Sequence, residues 1–166
     1  MSYVIWLSQV PHGLWSGLHQ GIIDIIATDH APHTLAEKSQ PYPNSPAGMP
    51  GVETSLPLML TAMQAGQCTL AQVQQWMCSG PARVYGIKNK GQLAEDFDAD
   101  LALVDIETTR PVRDNEVFSR AAWSPYAGRE LTGWPSYTIV GGQVVFDNGR
   151  IRPGVFGKAL EFARPG

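Results

Sequence analysis

The stretch from Ile22 to Ala27 constrains this chain more than any other. It is rich in isoleucine, interrupted only by Asp24, and it stops abruptly at Thr28-Asp-His-Ala-Pro-His33. A short run with both faces largely apolar reads as a strand buried in a parallel sheet. Such a strand, ending in a carboxylate and two imidazoles, presents polar groups at the C-terminal rim of an α/β layer. The expected fold class is therefore α/β. At 166 residues the chain has enough length for a real core but not for a complete eight-fold α/β barrel of ~250 residues.

Around that run the pattern alternates between helix signals and breakers. Leu14, Trp15 and Leu18 read as the last turns of a helix stopped by Gly21. Residues 28–52, with Pro32, Pro41, Pro43, Pro46, Pro50, Gly48 and Gly51, read as a long loop of the kind that lines a site. Leu56, Leu60 and Met63 predict a helix within Glu53–Gln67, ended at Gly66. Thr69-Leu-Ala-Gln72 resembles a capping box opening a second helix through Met77. Pro81 to Gly86 reads as one short helix with proline at its start and glycine at its stop.

After Gly91 the pattern turns to strands: Asp100–Asp105, Thr138–Val140 and Gln143–Phe146, with two-residue turns at Gly141-Gly142 and Asn148-Gly149. This predicts an unplaced segment 1–13 containing a short strand at Val4–Leu7. An α/β piece over 14–90 and a small β-rich piece over 91–166 follow.

Composition excludes more than it assigns. A net charge of −3 gives no reason to expect nucleic acid or an anionic membrane as partner. No run approaches the ~20 apolar residues of a membrane span, and Met1–Leu7 lacks the features of a secretory signal. Cys68 and Cys78 read as reduced thiols. The expected setting is the cytoplasm.

Asp29, at the end of the apolar run, is suited to bind a metal or to shuttle a proton; equally, it is suited to cap a turn. His30 and His33 are three apart, but Pro32 rules out a regular helix there, so either reads as a loop histidine taken singly. Trp123, Trp134, Phe118, Tyr126 and Tyr137 read as packing residues of the β-rich piece or of its join. Arg83 and Arg129 read as structural ion-pair or capping residues.

Taken together, Thr28-Asp-His-Ala-Pro-His33 resembles the signature that follows the eighth barrel strand in dihydroorotases of the amidohydrolase superfamily. The resemblance continues in order. Ala47-Gly-Met-Pro-Gly-Val-Glu-Thr54 is similar to that family's glycine-rich substrate loop, and Ser79-Gly-Pro-Ala-Arg-Val-Tyr-Gly86 to its Gly-Pro-Ala helix. Asp98-Ala-Asp-Leu-Ala-Leu-Val-Asp105, with Leu131-Thr-Gly-Trp134 and Val140-Gly-Gly-Gln-Val-Val145, is similar to its small β-domain. The match spans about residues 14–155.

The resemblance implies the incomplete C-terminal part of a TIM-type (β/α)8 barrel followed by a small sandwich-type β segment. It implies zinc as cofactor and reversible interconversion of N-carbamoyl-aspartate and dihydroorotate in pyrimidine biosynthesis. By the same resemblance Asp29 is a zinc ligand that moves a proton from the attacking hydroxide to the departing nitrogen. His33 is the histidine that binds the substrate carboxylate, and Ala47 and Gly48 contact the substrate ring through the backbone. His33 favours dihydroorotate over the substrates of the related allantoinases and dihydropyrimidinases.

The chain departs from the family pattern in its ligands. It contains only His12, His19, His30 and His33, with no His-x-His, and its first lysine, Lys38, lies past Asp29. A catalytic zinc generally needs three protein ligands. The expectation is a truncated chain, inactive and marginally stable alone, that needs a complementary N-terminal chain. The competing expectations are a noncatalytic scaffold for aspartate transcarbamoylase, or an allantoinase or dihydropyrimidinase relative. Homodimerisation is left open.

Overall fold

The computed structural model describes residues 12–163; the expected strand at Val4–Leu7 lies outside them. Helix α1 (His12–His19) ends at Gly21, whose φ of 71° reverses the chain. The amides of Ile22 and Ile23 both donate to the carbonyl of Gly17, at 2.8 and 3.0 Å.

Ile22–Ala27, expected as a buried parallel strand, belongs to no sheet among the described residues. A parallel strand is held by the ladders on its flanks, and no described strand lies beside it. Its side chains nonetheless go where apolar groups must. Ile23 and Ile26 pack on a core cluster of Leu18, Met59, Ala62, Cys68, Val73 and Trp76. The Ile26 amide donates to the Trp76 carbonyl at 3.0 Å. Ile22, at the start, is left 74% exposed.

Helix α2 (Leu35–Lys38) is followed by α3 (Ser55–Gln64), α4 (Leu70–Gln74), a π turn over Gln75–Ser79, and α5 (Gly80–Tyr85). The capping box at Thr69 forms as expected, the Thr69 side chain accepting from the Gln72 amide and Gln72 reaching back to the Thr69 amide. The two helices expected over Thr69–Met77 and Pro81–Gly86 are joined without a break. Pro81 has no N–H to give the α-helical ladder, and the wider π turn before it absorbs the gap. Gly80 leaves room there: a Cβ on it would lie 3.0 Å from the carbonyl of Asp24. Gly86 (φ 64°) terminates α5 in the left-handed region, as its position after the last apolar residue predicts.

The rest is one antiparallel sheet in the order β1-β2-β3-β4: β1 Leu101–Pro111, β2 Glu130–Val140, β3 Gln143–Asp147 and β4 Arg150–Ile151. Both turns form where expected, with positive φ at Gly141, Gly142, Asn148 and Gly149. The first two strands are longer than the sequence suggests. In β1 the Asp105 carboxylate accepts the amides of Glu107 and Thr108, making an irregularity inside a polar stretch that carries no alternation.

Helix α3 lies on β2. The Thr61 hydroxyl accepts the Thr132 amide at 2.8 Å, and a second core cluster of Leu58, Val112, Tyr126 and Leu131, flanked by Trp134, fills the junction. Arg110 stacks over Trp134, 3.8 Å from the ring centre. Trp134 and Tyr126 thus pack as expected. Cys68 is buried and Cys78 exposed, both as free thiols, and burial pushes the Cys68 thiol up. Among the described residues no helix is long and apolar enough to cross a membrane.

Candidate functional site

Two short segments run side by side to build the site. His30 and Met49 form a parallel bridge, and the Ala31 amide donates to the Met49 carbonyl at 3.2 Å. Gly48, one residue before Met49, packs against Ala31, one residue after His30. Asp29 has a φ of 46°, a left-handed conformation that turns the chain between Thr28 and His30, and its carboxylate is exposed. Gly48 has a φ of 96°, and a Cβ there would sit 2.7 Å from the Ala31 carbonyl oxygen. Only glycine lets the two backbones come this close.

The loop of residues 28–52 is ordered by its own hydrogen bonds rather than structureless. Thr34 and Glu37 form a capping box around α2: the Glu37 carboxylate accepts the Thr34 amide at 2.7 Å, while the Thr34 hydroxyl accepts the Glu37 amide. The Thr34 bonds hold the Glu37 carboxyl below the usual range. Lys38, half-buried, donates its ammonium to the carbonyls of Pro46 and Gly48 at 2.7 and 3.0 Å, and so holds the stretch that contains Ala47. The signature Thr-Leu-Ala-Glu at 34–37 was open to view in the sequence but lay inside a proline-rich stretch.

His33 is placed from the β-rich part of the chain. Trp123 donates its indole N–H to the His33 carbonyl at 2.7 Å. The His33 ring is partly exposed, with Nδ1 3.9 Å from Glu37. Glu53 makes a second tie, its carboxylate accepting the amides of Phe118 and Ser119 at 2.9 and 2.8 Å. His30, Pro50, Glu53, Thr54, Trp123 and Ser124 together line a shallow recess at this join. Nothing local in the sequence marks Glu53 or Trp123 for these roles, because each partner is more than sixty positions away.

The structure pairs His30 with Met49 and sets Gly48 against Ala31, with Asp29 next to His30 in the chain and His33 further along the same loop. It does not assemble a metal centre. Among the described residues no group of three or more His, Cys, Asp or Glu side chains is placed to hold a metal ion. The residues present therefore do not by themselves fit the zinc that the sequence resemblance implies. Arg83, read as a structural ion-pair residue, meets Asp24 at 2.8 Å and ties α5 to the Ile22–Ala27 run.

Comparison with known proteins fits this geometry. The model of the amidohydrolase family matches residues 12–145. The dihydroorotase of Halobacterium salinarum is 41% identical over 134 residues, covering 81% of this chain and 32% of that protein. That of Bacillus caldolyticus is 42% identical over 138 residues, covering 82% and 32%. Among solved structures, the L-hydantoinase (dihydropyrimidinase) from Arthrobacter aurescens superposes with a TM-score of 0.78 at 34% identity, over 84% of this chain and 32% of that one. The dihydropyrimidinase from Brevibacillus agri does so with a TM-score of 0.80, over 84% and 32%, but at 23% identity it speaks for the fold alone. The chain thus spans about a third of the length of the relatives it matches. With residues 12–145 matched in order and the fold shared with solved relatives, the chain belongs to the amidohydrolase family.

Proposed function

We propose that this chain contributes to a dihydroorotase-like site that opens a cyclic amide, interconverting dihydroorotate and N-carbamoyl-aspartate in cytoplasmic pyrimidine biosynthesis. The observation that supports the reading is the pairing of His30 and Ala31 with Met49, which joins the segment that carries Asp29 to the loop of Ala47 and Gly48. In this reading residues 14–90 are the C-terminal part of a (β/α)8 barrel and 91–166 a sandwich-type segment beside it.

The chemistry asked of these residues is proton management and recognition. Water adds to the ring carbonyl carbon, the C–N bond breaks, and the proton lost by water ends on the departing nitrogen. Asp29, exposed at the loop, is the carboxylate that accepts this proton and returns it. His33 faces the substrate carboxylate, and the backbone of Ala47 and Gly48 faces the ring. Of the zinc donors implied by resemblance, this chain supplies Asp29 alone. A complementary polypeptide supplying the others is the partner this reading requires.

The test mixes the chain with the remaining two thirds of the Bacillus caldolyticus dihydroorotase and follows dihydroorotate. Turnover by the mixture, lost on Asp29→Asn, is the expected result. Turnover by the lone chain, or an active Asp29→Asn mixture, overturns the assignment. Because the Arthrobacter aurescens relative is named a hydantoinase (dihydropyrimidinase), hydantoin and dihydrouracil belong on the same panel. Preference for either would make His33 irrelevant to substrate choice. Binding to aspartate transcarbamoylase without turnover in any mixture would favour the scaffold reading.

A further inference from the structure

His30 is the member of the signature that the proposed chemistry leaves without a task. Its side chain nevertheless reaches across the loop to two backbone amides. Nδ1 accepts the amides of two successive residues, Gly51 at 3.1 Å and Val52 at 3.3 Å. A ring nitrogen that accepts carries no hydrogen, so the ring proton sits on Nε2. The same residue's backbone pairs with Met49, so His30 grips the segment 49–52 at both main chain and side chain. That segment leads directly into α3, whose side chains Met59 and Leu60 are buried in the core. The histidine is thereby fastened to the start of a helix seated in the core.

The residue before it, Asp29, holds a left-handed φ of 46°. Aspartate reaches this conformation more readily than most residues because its side chain can hydrogen-bond locally, and without such a bond the turn relies on its surroundings. The Asp29 side chain makes no hydrogen bond or ion pair among the described residues. The enforcement must therefore come through the backbone on either side of it. Downstream, that is the doubly anchored His30.

We propose that His30 is a positioning residue: its Nδ1 clamp on Gly51 and Val52 holds Asp29 in its left-handed turn. The inference deepens the proposed function by assigning the group that aims the Asp29 carboxylate. Its conformational claim stands whether or not turnover is found.

Nuclear magnetic resonance on the isotopically labelled 166-residue chain tests it, with His30→Asn and His30→Gln beside the wild type. The asparagine amide oxygen can take the place of Nδ1, whereas the glutamine oxygen sits one carbon too far out. The wild-type His30 ring should show a bare Nδ1 and a protonated Nε2. Amide exchange at Gly51 and Val52 should speed up about tenfold in His30→Gln, the size expected for losing a hydrogen bond. Asp29 backbone shifts should leave the left-handed range in the same variant. Both effects should revert in His30→Asn. Unshifted Trp76 and Leu131 signals report that the core stays folded in each variant.

A protonated Nδ1 in the wild type would overturn the proposal. So would a His30→Gln chain in which Asp29 keeps its left-handed shifts. In the two-chain mixture kcat should fall in His30→Gln and recover in His30→Asn. No turnover in any mixture would sink the proposed function while the exchange and shift data still decide the clamp.

Discussion

The indole of Trp123 donates to the carbonyl of His33 across ninety positions of sequence, at 2.7 Å. A residue that follows the β-rich part's first strand thus fixes the backbone under the histidine proposed to read the substrate carboxylate. Trp123→Phe keeps the apolar ring and removes the donor. Losing one such bond costs about 1 kcal/mol, so in the two-chain mixture KM for dihydroorotate should rise about fivefold with kcat little changed. KM for hydantoin, which has no carboxylate, should stay where it was. Equal rises for both substrates would show that Trp123 shapes the whole site rather than His33.

Gly133 marks a close approach between helix and sheet. It has a φ of 97°, and a Cβ on it would fall 2.5 Å from the Leu60 Cβ, an atom that cannot move without its helix. Gly133→Ala therefore adds backbone strain to overpacking and should lower stability by about 3 kcal/mol in urea unfolding. Gly128, also at positive φ but with nothing within 4 Å, separates the two causes. Gly128→Ala should cost only the strain, about 1 kcal/mol.

The two capping boxes should respond differently to the same change. Thr69→Ala removes the cap of a helical run that continues to Tyr85 and packs Val73 and Trp76 into the core, so global stability should fall by about 1 kcal/mol. Thr34→Ala uncaps the four-residue helix α2, which has no buried residue. Its effect should appear as faster amide exchange across residues 34–40 with little change in the unfolding midpoint. A large global loss from Thr34→Ala would mean that the loop carries part of the core.

Acid should uncover the Lys90 ion pairs. The Lys90 ammonium and the Gly141 amide hold the Asp100 carboxyl below the usual range, and Asp100 with Asp98 raises Lys90. A lowered carboxylate contributes stability that is complete above its unfolded value and lost as pH falls through its folded one. A raised lysine contributes stability that is complete below its unfolded value and lost as pH climbs through its folded one. Asp100→Asn should thus cost stability on the plateau between, by no more than about 1 kcal/mol because the pair is open to water. Melting curves of variant and wild type should converge below about pH 4. A gap that persists at pH 2 would assign the loss to packing.

Local grammar in the sequence translated well. The Thr69 box, the Gly86 stop, both glycine-containing turns and the change from helix to strand near residue 87 are each set by residues a few positions apart. The Ile22–Ala27 run was legible as something to be buried, and Ile23 and Ile26 are packed on the core. Its reading as a paired strand needed partners that no stretch of six residues can specify. The length of β2 was hidden by Gly133, Pro135 and Ser136, which break the alternation expected of a strand. Asp29 and Gly48 were legible from the motif as candidates for the site. The clamp of His30, the Glu53 tie and the Trp123 bond were not, because each joins segments whose separation leaves no periodic trace.

The absence of a side chain at Gly133 also bears on how this molecule can move. With Leu60 seated where that side chain would be, and the Thr61 hydroxyl bonded to the adjoining strand, α3 and β2 are keyed like teeth and cannot slide past one another. Any shift of one must carry the other with it, so the helix and the strand move as one block.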